Sequence, residues 1–285
     1  MSASAEQCFE VNHARHDRAH CLVPGLFRSL QKGERKREKL DITHSFGDVV
    51  VRFWGPEPLG AGDLRVLQGL VALAGPVGAI LPPAPTSPVG QELRASLEPK
   101  WAAVEKRALA VRCSYRALAR EIGYAPGDTK AIRDCLERLW AISVLIADQN
   151  GRRMGFRILS FYASDDGKGE LTVALNPLIA RAVLGDGQHV HIDMHEVRSL
   201  KSDAARLIHQ RLCGWIDPGR SGKVDLDTLC SYAWPTQADN PNTLKTRRQA
   251  GKRALKELSD LGWRVAEYAT GRFEIQRPKL PKTAR

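Results

Sequence analysis

An α+β fold of two tandem winged-helix domains in a pseudo-two-fold arrangement is predicted by three observations. Each half of the chain offers a helix, a turn, a second helix and then a strand hairpin. One helix near the C-terminus carries a basic face with no acid on it. The chain is basic throughout, with 43 Lys plus Arg against 32 Asp plus Glu and a net charge of +11. An excess of that size favours a polyanionic partner, because each neutralised phosphate releases counterions. Hydrophobic residues make up 43% of the 285 positions, enough to build cores.

The spacing divides the chain into an arm over 1–38, a first domain over 39–165 and a second over 166–285. The arm is polar, rich in His and Arg, and ends in the mixed-sign run Lys32 to Lys39, which reads as a solvated surface. Strand-like alternation covers Asp41 to Trp54. A helix follows over Gly62 to Ala74, with Leu67, Leu70, Val71 and Ala74 at core spacing, and Gly75-Pro76 is expected to stop it. The proline-rich segment Pro82 to Pro88 reads as a surface loop. Leu109 to Cys113 is a short strand, Ser114 can cap a helix to Ile122, and Gly123 supplies a turn. Asp128 can then cap a helix over Thr129 to Trp140. Two apolar strands over 143–162 flank Asn150-Gly151, a strong hairpin signal, with Arg152 and Arg153 at the tip. That order is the winged-helix order.

The second half follows the same scheme. Leu171 to Leu175 reads as a strand. Ser202 can cap a long helix whose Ala205, Ile208, Leu212 and Trp215 share an apolar face, and Asp217-Pro218-Gly219 breaks it. Asp225 or Asp227 can cap a short helix through Tyr232. A long helix is expected from Asn242 to Leu261, and a hairpin over Trp263 to Arg277 turns near Thr270-Gly271. The boundary between the halves is expected in Asp165 to Gly169.

The Asn242–Leu261 helix is the most informative segment. Leu244, Gly251, Leu255, Leu258 and Leu261 gather on one side, and Lys245, Arg248, Gln249, Lys252 and Lys256 form a stripe on the other. Solvated helix faces normally mix signs for i,i+4 pairing. A stripe of four cations and a Gln suits a DNA major groove, where Arg and Lys address guanine, Gln pairs with adenine and the remainder holds phosphate. Arg247 and Arg253 on the same helix and Arg272 on the hairpin are further candidates. The Thr129–Trp140 helix is ambiguous: Lys130 and Arg133 share its outer face with Asp134 and Glu137. It could touch DNA at its N-terminal end, be an ordinary exposed face, or meet a protein.

Two other motifs are weaker. His189-Val190-His191 matches the His-hydrophobic-His pattern by which rolling-circle nickases bind a metal. Such an enzyme also needs a nucleophilic tyrosine followed closely by Lys on a helix, and none of the five tyrosines fits. Two surface histidines on a strand is the reading preferred. His13, His16, His20 and Cys21 loosely suggest a zinc set, but a site wholly within an arm lacks partner ligands. The six cysteines show no CxxC spacing and fit a reducing cytoplasm. No apolar h-region opens the chain, and no stretch reaches the roughly 18 apolar residues of a membrane span. No Walker A loop, GxSxG elbow, HExxH or dinucleotide fingerprint occurs. The expectation is a cytoplasmic DNA-binding protein with no catalytic residue, metal or cofactor.

Long stretches of the chain resemble a known family. HDRAHCLVPGLFRSLQKGERKREKLD, GPEPLGAGDLRVLQGLVALAGP, SYRALAREIG, VALNPLIARAV and LIHQRLCGWIDPGRSGKVDLDTLC, followed by RRQ and LGW, are similar to the replication initiator C proteins (RepC) of IncQ-type plasmids. The resemblance implies an initiator that binds direct repeats (iterons) in double-stranded DNA at the plasmid origin. It implies opening of an adjacent A+T-rich segment, and work with a plasmid helicase and primase. A homodimer away from DNA is left open. The alternatives are a winged-helix transcriptional regulator on an inverted repeat and, further off, the nickase.

Overall fold

The computed structural model describes residues 12–81, 88, 91, 108–165, 169–185 and 188–280. The first of these residues depart from expectation. Strand β1 (His13–Asp17) and helix α1 (Arg18–Leu22) belong to the core rather than to a solvated arm. Ala14 and His16 are buried on the inner side of β1, which pairs antiparallel with His189–Asp193. Asp17 ends the strand and caps α1, accepting from the His20 backbone N–H at 3.1 Å and from its Nδ1 at 2.6 Å. The partner strand lies more than 170 residues away in sequence, so local periodicity carried no sign of the pairing. The run Lys32 to Lys39 does stay at the surface, around a 3₁₀ turn over Glu34–Lys36.

Where strand-like alternation was expected over Asp41 to Trp54, two strands, β2 (Leu40–Phe46) and β3 (Val49–Gly55), pair as an antiparallel hairpin. Helix α2 (Ala61–Val77) follows, running through Gly75-Pro76 where a stop was expected. Leu64, Val66, Leu67, Leu70, Val71 and Leu73 are all buried, so α2 is a central helix covered on most sides. After β4 (Gly78–Leu81), the proline-rich loop falls largely outside the described residues. Then come β5 (Ala108–Ser114), α3 (Tyr115–Glu121), α4 (Thr129–Ala141), β6 (Ser143–Asp148), β7 (Arg153–Arg157), β8 (Leu159–Asp165) and β9 (Glu170–Leu175). Ser114 caps α3 as expected, accepting from Ala117 N–H at 3.0 Å.

These strands make two antiparallel sheets of four, ordered β2-β3-β6-β7 and β4-β5-β9-β8. The expected hairpin over 143–162 is therefore split: its second arm breaks at the buried Ile158, and β7 and β8 join different sheets. The expected boundary near 165–169 falls between β8 and its antiparallel partner β9, so one sheet takes strands from both sides of it.

The second half adds α5 (Pro177–Leu184), β10 (His189–Asp193), α6 (Met194–Ser199), α7 (Asp203–Trp215), β11 (Ser221–Asp225), α8 (Leu226–Ala233), α9 (Pro241–Asp260), β12 (Arg264–Ala269) and β13 (Arg272–Gln276). Its last three strands form a sheet of order β11-β13-β12. Ser202 caps α7, accepting from Ala205 N–H at 3.2 Å. Among the described elements the second half, from α7 to β13, runs helix, strand, helix, helix, strand, strand, and the first, from α2 to β7, runs alike but with an extra strand, β4, before β5. Their sheets differ. In the second half the first strand, β11, joins the hairpin; in the first half β5 pairs with β4 and β9 instead.

One hydrophobic core spans the halves. Where α2 meets α7, the buried Gln68 side chain donates to Gln210 at 2.5 Å. Each glutamine is the eighth residue of its helix. A second buried polar group anchors the C-terminal sheet. Glu196 of α6 accepts from His209 of α7 at 2.6 Å and from the Trp263 indole at 2.9 Å. Burial opposes a charge on His209, but the Cys213 sulfur and the Glu196 carboxylate beside it raise its pKa to about 10. Burial likewise pushes Glu196 up, and its bonds to His209 and Trp263 bring it below the ordinary carboxylate value.

A raised histidine pKa stabilises the fold fully below the unfolded value of 6.5, and that contribution is lost as pH climbs toward 10. Breaking one side of such a buried pair typically costs ~3–5 kcal/mol. His209→Gln should therefore unfold at lower urea than wild type near pH 6.5, with the gap narrowing toward pH 10. A gap independent of pH would contradict a charged pair.

Candidate nucleic-acid interface

Helix α9 begins with Asn240, whose side chain accepts from Thr243 N–H at 2.8 Å, and with Pro241 in its first turn. Gly251, Ala254, Leu255 and Leu258 are buried beneath it, while Leu244 and Leu261 are half-buried. Ala254 was not among the expected core positions. Glu257 ties the helix down further, accepting from the backbone N–H groups of Lys201 (2.8 Å) and Ser202 (3.2 Å) just before α7. All five residues of the expected stripe, Lys245, Arg248, Gln249, Lys252 and Lys256, are exposed, as is Arg253. Arg247 faces elsewhere. It is half-buried, donates to the Thr236 carbonyl at 2.6 Å and lies 5.9 Å from the Trp234 ring, holding the loop before α9.

Four of the five stripe residues, Lys245, Arg248, Gln249 and Lys252, form one wall of an open cleft of about 840 Å³. Asp225, Asp227 and Thr228 of the β11–α8 junction form a second wall, and Thr270, Gly271 and Arg272 of the β12–β13 turn a third. The turn is pinned to the start of α8, since Leu226 N–H donates to the Gly271 carbonyl at 2.8 Å. Two acids in the cleft meet two of its bases. Arg248 donates from Nε to Asp227 Oδ1 at 2.7 Å and from Nη2 to Oδ2 at 2.6 Å. These bonds hold the Asp227 carboxyl below its ordinary pKa and raise that of Arg248. Arg272 Nε lies 3.4 Å from Asp225. Sequence reading had treated both acids only as helix caps; the pairing spans 21 residues and leaves no periodic signal.

In the first half the candidate cations are differently placed. Lys130 pairs with Asp134 at 3.0 Å along α4, and the half-buried Arg133 guanidinium lies 5.6 Å from the Tyr115 ring. Arg152 and Arg153 are exposed at the β6–β7 tip. Asp148 builds that tip, accepting from the N–H groups of Asn150 and Arg152 at 2.9 Å each, and Gly151 takes the φ of +77° the turn requires. The β2–β3 turn leans on it through Gln149 and Asp48, 2.9 Å apart.

The two histidine motifs meet at one stacked pair and, among the described residues, bring no three ligand atoms together. His191 stacks on His13 with ring centroids 4.7 Å apart, while His16 is buried and His20 is bonded to Asp17. Burial and the neighbouring His13 push His191 down to about 4. Among the described residues, the group of three ligand atoms within 4.8 Å of one another is Glu196, His209 and Cys213, which are buried and bonded together. No helix among the described residues is long and apolar enough to cross a membrane.

A family model for replication protein C (RepC) matches residues 8–279. The chain belongs to the RepC family. The match takes in both hairpins, α4 and the whole of α9. A solved structure of domains 2 and 3 of RctB is similar in fold, with a TM-score of 0.55 at 10% identity over 91% of this chain and 98% of that one. No curated protein matches the chain.

How α9 is seated yields a test. A Cβ on Gly251 would lie 3.0 Å from Cys230 Sγ and 3.3 Å from Leu226 Cδ1, so the missing side chain lets α8 approach α9 closely. Gly251→Leu should overpack this contact and destabilise the protein by ~1–3 kcal/mol. The check is a urea midpoint below that of wild type.

Proposed function

We propose that this RepC-family protein is a plasmid replication initiator that binds direct repeats in double-stranded DNA at the plasmid origin and performs no chemistry itself. The observation that carries the reading is the exposed stripe of α9, held beside a pinned hairpin at an open cleft. The order α7, β11, α8, α9, β12, β13 with sheet order β11-β13-β12 supports a winged helix, in which α9 enters a major groove and the hairpin meets flanking backbone. The similar element order from α2 to β7, with β4 as an added strand, supports a second such unit in the first half. Two unlike units in one chain suit a direct repeat read by a monomer, with helices about one turn (~10 bp) apart on the duplex.

The two halves then divide the work. Lys245, Gln249, Lys252 and Lys256 are exposed, so α9 supplies most of the sequence preference. Helix α4 spends Lys130 on Asp134, and the first half contributes chiefly phosphate contacts through Arg152 and Arg153. Binding across two grooves bends the duplex and helps an adjoining A+T-rich segment to open. Helicase and primase of the same plasmid act next, in the cytoplasm.

A footprint of the purified full chain on its plasmid origin should cover direct repeats. Lys252→Ala should weaken binding to the repeat by roughly 5- to 150-fold. Wild-type affinity in that variant would remove α9 from the groove. Arg152→Ala combined with Arg153→Ala should instead weaken repeat and random duplex alike and flatten the salt dependence. Incubated with supercoiled origin DNA, a divalent metal and ATP, the protein should neither nick nor hydrolyse. A covalent adduct through any tyrosine would show that His189 and His191 had been misjudged.

A further inference from the structure

The Asp227–Arg248 pair is an oddity on a surface that is to meet phosphates. An acid facing the cleft repels a polyanion, and an exposed ion pair contributes little to folding. Its placement in the first turn of α8 gives it one ordinary use, since a carboxylate is favoured at a helix N-terminus. That use does not account for the geometry. Asp227 grips the side edge of the guanidinium with both oxygens, at 2.7 and 2.6 Å. Among the described residues the far edge stays free, with Nη1 and the outer hydrogen of Nη2 side by side. Two parallel donors at that spacing match guanine O6 and N7.

We propose that Asp227 is a positioning residue for base readout: it holds Arg248 side-on so that the far edge of the guanidinium presents a fixed two-donor fork to a guanine in the major groove. This rests on α9 lying in that groove, and it names which base one member of the stripe reads. Arg248 projects from the exposed face, with 47% of its side chain accessible, so without Asp227 it would sample many rotamers. Fixed, it loses little freedom on meeting the right base pair. The carboxylate also opposes any duplex that offers no guanine there, because the phosphates still approach while the fork finds no acceptors. The pair thus lowers general affinity and raises discrimination.

The test uses the full chain and duplexes enriched from a random library by the wild-type protein. Each base pair of the enriched site is then substituted in turn, and binding is followed by fluorescence anisotropy. One G·C position should lose its preference by roughly five-fold or more in Arg248→Ala, and the same position in Asp227→Asn and in the charge-preserving Arg248→Lys. Asp227→Asn should bind a scrambled duplex as well as wild type or better. Should Asp227→Asn keep every wild-type base preference, or weaken enriched and scrambled duplex equally, the proposal is overturned and Asp227 serves α8 alone. Failure of the library to yield any enriched sequence would instead overturn the placement of α9 in a groove, and this proposal with it.

Discussion

Glu196 has little access to water, and its charge is met by His209 on one side and the Trp263 indole on the other. Those three residues belong to α6, to α7 and to the start of the β12–β13 hairpin. Arg277, also buried, completes the arrangement. It donates to the carbonyls of Cys213 (3.1 Å) and Ile216 (3.0 Å), at the end of α7, and to that of His191 on β10. Its guanidinium lies 5.8 Å from the Trp263 ring. A buried carboxylate and a buried guanidinium are tolerable only where nearly every donor and acceptor is met, which restricts the elements to one mutual placement. The position of α9 follows from it, because α9 runs directly into Trp263 and its Glu257 grips the backbone before α7.

The distribution of acids separates the two basic helices. In the first half Asp63 is fully buried, meeting Arg138 of α4 at 2.8 Å and Arg35 at 3.0 Å, while Asp134 takes Lys130. Charges there are committed to holding α4 against α2 and the preceding turn. Among the described residues, acids pair within the stripe of α9 only with Arg248, and Lys245, Lys252 and Lys256 are exposed to a ligand. The two basic helices thus present different surfaces, according to how many acids fold back on them.

The halves are also bound to each other. Gln68 and Gln210 are both buried where α2 meets α7, and separating those helices would break the bond between their amides. Strand β1 crosses from the beginning of the chain to β10, and Ser29 N–H donates to the Ala233 carbonyl at the end of α8 at 2.8 Å. Strand β1 and the residues after it act as a strap rather than a free arm.

Whatever depended on short-range order could be read from the residues themselves. The length and seating of α9 follow from leucines at helical spacing, the caps of α3 and α7 from a serine placed before the first turn, and the β6–β7 tip from Asn150-Gly151. The basic stripe is equally local, because helical geometry alone decides which of those residues share a face. Pairings between distant segments left no such mark. The partnership of β1 with β10, the choice of β9 over the hairpin as a neighbour for β5, and the meeting of Gln68 with Gln210 are settled by packing of the whole chain. The same holds within the candidate interface. Sequence put Arg248 in the stripe and Arg247 beside it as a further candidate, and only the tertiary structure turned Arg247 toward Trp234 and gave Arg248 to Asp227. A helix fixes where a side chain leaves the backbone, but the direction of a long guanidinium is decided by whichever acceptors the neighbouring elements bring within reach.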